Sequence, residues 1–100
     1  MTTIASKTIT AENEFTDAAQ LEGYFNVSIQ GPTFTNTTTV TVQRSIDNST
    51  WYDVNTYNAP FEGNGFDPEF MWYRIGVKTG AFTASDEINV RIGREDKDRH

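Results

Sequence analysis

Apolar and polar residues alternate with a period of two in four separate stretches of this chain, the pattern of strands that bury one face. Leu21 to Gln30 is the clearest. Phe25, Val27 and Ile29 fall on one side of it, and Tyr24, Asn26 and Ser28 on the other. Gly31-Pro32 is expected to end that strand, because proline has no amide to donate to a ladder. Thr37 to Ile46 sets Val40 and Val42 inward against Thr39, Thr41 and Gln43. Asp47-Asn48-Ser49 follows, with side chains that bond their own backbone and favour reversal. The chain then returns through Trp51-Tyr52-Asp53-Val54, so residues 37–57 read as a hairpin. Phe70 to Lys78 puts Met71, Tyr73, Ile75 and Val77 on one face, and Glu87 to Ile92 does the same with Ile88, Val90 and Ile92.

Between these strands the pattern weakens. Residues 58–68 show no usable alternation, and Pro60, Gly63, Gly65 and Pro68 predict a long loop. In the first twenty residues, Ile4–Thr10 and Phe15–Ala18 read either as short edge strands or as an extended arm. No internal repeat and no helix with convincing caps is visible. Six to eight short strands with regular turn signals predict an all-β fold, an antiparallel β-sandwich of Ig-like or jelly-roll-like form. It is expected as a single domain over residues 1–93. An N-terminal arm is allowed over 1–12, and a charged tail runs over 94–100.

Composition agrees and narrows the chemistry. Thr, Val and Ile total 28 of the 100 residues, against 10 for Ala, Leu and Met together, which disfavours a helical bundle. There is no Cys, so a disulfide scaffold, a thiol nucleophile and a thiolate metal site are excluded. The single His is His100, which leaves no His-based triad and no multi-His zinc site. A net charge of −6 with 8 basic residues opposes binding to nucleic acid. The N-terminus carries no basic, apolar leader, and no apolar run reaches the ~20 residues of a membrane span. A protein made in the cytosol and staying soluble, without membrane contact, is therefore expected. The Asn-x-Ser/Thr triplets at Asn26, Asn36 and Asn48 read as products of a Thr- and Asn-rich composition.

The segment from Tyr57 to Trp72 concentrates the candidate chemistry. It carries Tyr57, Phe61, Phe66, Phe70, Met71 and Trp72 around Glu62, Asp67 and Glu69, with no Lys or Arg. So many aromatics in a loop imply burial, either under the domain's own edge or by a partner. Aromatic residues and Met are enriched in protein interfaces. Phe61, Phe66, Phe70 and Met71 are therefore the candidate contact residues. Ile4 joins them, because an N-terminal strand can pair with a neighbour's sheet edge. Glu62, Asn64, Asp67 and Glu69 offer oxygens, but at a spacing unlike an EF-hand loop and in smaller number than the six to eight that Ca²⁺ takes, so solvated acids and no metal are expected. No catalytic pair and no cofactor is read from the sequence. Arg44 and Arg74, set among apolar neighbours, are expected to pair with Asp53 or Glu69. Ser45-Ile46-Asp47-Asn48-Ser49-Thr50-Trp51 resembles the Asp-box hairpin of sialidase-like propellers, one residue short and without the glycine after Asp; that box is a structural turn.

Four segments carry a wider resemblance. Leu21–Ile29, Val40–Asp47, Trp51–Val54 and Tyr73–Gly80, in that order, resemble a group of small β-rich virion structural proteins of tailed bacteriophages. The likeness covers about residues 20–92. It implies an assembly role on the virion without chemistry, with a capsid decoration (cement) protein the foremost form. The implied partners are the major capsid protein and further copies of the chain, as a trimer. A tail, head–tail junction or fibre-base protein is the neighbouring possibility. A carbohydrate-binding module, with Trp51, Trp72 or Phe66 stacked on sugar rings, is the alternative from another class.

Overall fold

A computed structural model describes residues 2–35 and 37–94. The described chain is all-β, with seven strands and no helix. They are β1 (Thr2–Ile9), β2 (Glu14–Phe15), β3 (Ala19–Thr33), β4 (Val40–Ser45), β5 (Tyr52–Tyr57), β6 (Phe61–Val77) and β7 (Glu87–Arg94). Every pairing is antiparallel. The order is β1-β7-β3-β6-β4-β5, with β2 also paired to β6. The expected sandwich is thus made from one continuous sheet rather than from two separate ones.

What folds the sheet over is the length of β3 and β6, at 15 and 17 residues. The end of β3 pairs with β7 and with the beginning of β6, whereas its start pairs with the end of β6, which also carries β4. Both strands therefore serve two layers and bend between them. The bend lies where the ladder shifts register, between the pairs Leu21↔Met71 and Gly23↔Asp67. One residue of β3, Glu22, faces three of β6, Pro68, Glu69 and Phe70. Gly23 takes φ +83° there, a left-handed conformation that a side chain disfavours.

Between the layers lies the core. Ala5, Phe25, Val27, Ile29, Ile88, Val90 and Ile92 come from the β1–β7–β3 side. Ala19, Leu21, Val40, Val42, Met71, Tyr73, Ile75 and Val77 come from the other. Phe25 and Tyr73 meet across it with ring centroids 4.7 Å apart. The Cα extents, 41 × 32 × 17 Å, fit two sheet layers at the usual ~10 Å spacing.

Several expectations are corrected. Residues 61–68 are not a loop but the first half of β6, and only 58–60 connect it to β5. Its inward positions are Phe61, Gly63 and Gly65, so an apolar-alternation reading loses the strand. Glycine is needed because the Phe25 ring fills the place of a side chain: a Cβ on Gly65 would sit 2.4 Å from Phe25 Cζ. Pro32 does not end β3, which runs on to Thr33; the β3–β7 ladder skips from Gln30 to Thr33 and spares the missing amide. Of the two readings left open for the first residues, the edge strand is the one found: β1 pairs with β7 from Thr2↔Arg94 to Ile9↔Ile88. The charged tail beyond Arg94, residues 95–100, lies outside the described residues.

Buried polar groups fasten the connections. Asp86, 3% exposed, accepts from the Thr35 amide, from Thr35 Oγ1 at 2.9 Å and from Thr38 Oγ1 at 2.6 Å. These contacts tie the β3–β4 connection to the one before β7, and their hydroxyl donors hold the Asp86 carboxyl below its ordinary range. In the β4–β5 turn, Asp47 Oδ1 accepts from the Ser49 and Thr50 amides, each at 2.9 Å. The Asp-box-like segment is thus a structural turn.

Candidate functional site

The bend between the layers is built around one carboxylate. Asp67 is 1% exposed, and its side chain turns inward from β6. Oδ2 accepts from Arg44 Nε at 2.7 Å and from the Tyr73 hydroxyl at 2.7 Å. Oδ1 accepts from the Glu69 amide at 3.0 Å and from Arg44 Nη2 at 3.3 Å. Arg44 comes from the far end of β4, Tyr73 from the second half of β6, and Glu69 from the bulge itself. Asp67 therefore joins three segments at the bend. Arg44 pairs with Asp67, and not with Asp53 or Glu69 as the sequence suggested.

The electrostatics follow from that geometry. Burial alone pushes the Asp67 carboxyl up, but donors from Arg44, Tyr73 and the Glu69 amide outweigh it, and its titration falls below the ordinary range. Tyr73 is pushed up to about 12, first by burial and then by its hydrogen bond to Asp67. The bond to Asp67 likewise strengthens the hold of Arg44 on its proton. With four donors on two oxygens and almost no exposure, this carboxylate works as a joint and is not presented to a solute.

Three exposed aromatic residues surround the joint. Tyr24 follows Gly23, Phe66 precedes Asp67, and Phe70 sits in the bulge; they are 54%, 56% and 58% exposed. Tyr24 and Phe66 are cross-strand partners with ring centroids 4.8 Å apart and planes tilted by 57°. Such a pair fixes both rings at little further entropy cost. Below it on the same face, Asn26 Nδ2 donates to Asn64 Oδ1 at 2.8 Å and Ser28 Oγ to Glu62 Oε2 at 2.8 Å. Two shallow depressions, of about 260 and 230 Å³, adjoin there and share Ser28 and Arg91.

The five contact candidates separate. Phe66 and Phe70 are both on the surface, either side of the residues where the β3–β6 ladder shifts register. Ile4, 39% exposed, is the unpaired residue of a bulge in β1 between Thr3↔Gly93 and Ala5↔Ile92. Phe61 is half-buried, stacked on Tyr57 with centroids 4.3 Å apart. Met71 is a correction: as the alternation of its own strand indicated, it faces the core, and it leaves the set of surface residues. Tyr24 was missed as a contact residue, although its outward place opposite three inward apolar residues was visible. The four oxygen-bearing residues do not converge. Glu62 and Asn64 lie on the outer face, bonded to Ser28 and Asn26, while Asp67 turns inward. Among the described residues no group of three or more acidic or His side chains is placed to hold a metal ion.

No helix of the described chain is long and apolar enough to cross a membrane. No protein-family model, no curated protein and no solved structure matches this chain.

Proposed function

We propose that the chain is a structural protein of a tailed-bacteriophage virion, acting as a capsid decoration protein through protein–protein contacts. The observation that carries this reading is the group Tyr24, Phe66 and Phe70, three exposed aromatics held on a bend that Asp67, Arg44 and Tyr73 pin from beneath. Aromatic anchors on a rigid support suit an interface, because little freedom remains to be lost on binding. The four-segment resemblance supplies the virion setting, and the −6 charge suits an outer surface that repels nucleic acid. Many copies, each with a modest contact, brace a shell by multivalent attachment. The partners proposed are the major capsid protein and further copies of the chain, in a trimer.

The test is sedimentation of purified protein with expanded, DNA-free heads. Wild type is expected to co-sediment, and Phe66→Ser and Phe70→Ser to lose at least about tenfold in affinity, the loss of one ordinary anchor. Protein that ignores heads, or that electron microscopy places on the tail, overturns the decoration reading.

A further inference from the structure

One cation on the outward face of the second layer has no anion among the described residues. Arg74, in the second half of β6, is flanked by two aromatic rings. Phe15 reaches it from β2 and Trp51 from the β4–β5 turn, on opposite sides of β6, and Cζ lies 4.4 Å from each ring centroid. Its Nε–H donates to Gln43 Oε1 at 2.8 Å. Gln43 is itself held, through Nε2, by Asp53 Oδ1 at 2.9 Å, and the other Asp53 oxygen accepts from Lys78 Nζ at 2.7 Å. The guanidinium is thus fixed in position by three neighbours, Phe15, Trp51 and Gln43, and none of them neutralises it. Among the described residues no carboxylate lies within 4.0 Å of it, and neither terminal Nη has a side-chain acceptor.

Arg74 goes without a carboxylate partner among the described residues although the chain has 14 acidic and 8 basic residues. Acids near β2 are committed to backbone amides: Glu12 to Gly80 at 2.6 Å, Glu14 to Thr10 at 2.9 Å and Ala11 at 3.3 Å. Partial burial weakens the hold of Arg74 on its proton, as expected for a charge withdrawn from water without a counter-ion. Beside it lies a depression of about 300 Å³ lined by Asn13, Phe15, Gln43, Arg74, Lys78 and Thr79. With rings against the guanidinium and Nε occupied, the hydrogen-bonding edge left to a ligand is the Nη pair. That edge matches the two oxygens of a carboxylate.

We propose that this depression receives a carboxylate, the side chain of a Glu or Asp on a protein partner, through a two-pronged contact with Arg74 and a second charge contact from Lys78. The aromatic flanks fix the fork before the ligand arrives, so binding loses little conformational freedom. The assignment does not rest on the virion reading, since it concerns the recognised group and not the assembly that presents it.

The test is a titration of the ¹⁵N-labelled full chain with a capped glutamate. The resonances followed are the Arg74 Nε–H and the Trp51 indole N–H. Saturable shifts with a Kd of about 1–10 mM are expected, the range of a single side-chain contact. Capped glutamine is expected to leave both unmoved. Arg74→Lys keeps the charge but removes the fork, and is expected to weaken binding at least about tenfold on the Trp51 signal. Lys78→Gln keeps the fork and is expected to weaken binding about threefold, which makes it the deciding variant if Arg74→Lys does not fold. No movement with glutamate, equal movement with glutamine, or undiminished affinity in either variant overturns the proposal. Inorganic phosphate binding more tightly than glutamate also overturns it, by assigning the site to a tetrahedral anion.

Discussion

Replacing Asp67 with Asn tests the joint at the bend, and the size of the effect follows from four contacts. The substitution keeps the shape and removes the charge and one acceptor. If the amide oxygen stays with the Glu69 amide, the NH₂ group faces Arg44 Nε, 2.7 Å away, and two donors oppose each other. If the amide flips, its oxygen keeps Arg44 Nε and the Tyr73 hydroxyl, but the NH₂ then faces the Glu69 N–H. Either way the two donors on one oxygen lose their acceptor, at about 1–3 kcal/mol for one that stays buried and unpaired, and the surviving bonds lose their charge assistance. Breaking a fully buried ion pair costs ~3–5 kcal/mol. Arg44, with 36% of its side chain exposed, recovers part of that through water. The expected loss for Asp67→Asn is therefore about 2–4 kcal/mol, a large share of the ~5–15 kcal/mol typical of a domain. At about 4–8 °C per kcal/mol, the melting temperature should fall by roughly 10–30 °C.

Urea denaturation followed by tryptophan fluorescence measures this loss, with an unchanged m-value as the check that the native state is intact. Tyr73→Phe should cost about 1–2 kcal/mol, because Asp67 keeps its other donors. The double variant should cost less than the sum, since both changes remove the same bond. A urea midpoint for Asp67→Asn equivalent to less than about 0.5 kcal/mol would refute the reasoning and leave the bend to Gly23 and the core alone.

Other substitutions and conditions probe separate parts of the chain. Gly76→Ala would place a Cβ 2.0 Å from the Glu14 carbonyl oxygen and 2.5 Å from the Phe15 ring; it should push β2 off the sheet, cost about 2–3 kcal/mol and alter Trp51 fluorescence. Gly23→Ala meets no atom within 4 Å but must hold φ +83°, so a milder loss of about 1 kcal/mol is expected by the same denaturation assay. Asp47, Asp53, Asp67 and Asp86 all titrate below their ordinary value in the folded chain. Their stabilisation is complete above about pH 4 and should be lost as the pH falls through the folded-state titrations, which urea midpoints at a series of acid pH values would show. Tyr73 behaves in the opposite sense: raised to about 12, it should stabilise fully below about pH 10 and lose that contribution as the pH rises toward 12, an alkaline limb absent from Tyr73→Phe.

The strands β3, β4 and β7 and the second half of β6, with most inward residues of the core, were legible in the alternation of the sequence, because an apolar face of each is buried; β5, exposed along nearly all its length, was legible only through the turn before it, and Ala5, Ile9 and Ala19 of the core were not. The first half of β6 was not. Its inward places belong to glycine, and the reason is the ring of Phe25, which lies forty residues earlier in sequence. The aromatic surface was half legible: Phe66 and Phe70 stand out by composition, but only the register pairs Phe66 with Tyr24, and only the bend keeps Phe70 exposed beside Met71 in the core.

Composition and period, then, determined by themselves that this chain is all-β, that it carries neither Cys nor an internal His, and which faces of its strands turn inward. Those properties depend on each residue and its near neighbours. The choice of partners was decided only in three dimensions. Arg44 meets Asp67 rather than Asp53, and Arg74 meets two rings rather than a carboxylate. Side-chain pairing across a sheet depends on register and on the bend between layers, which no local stretch of sequence encodes.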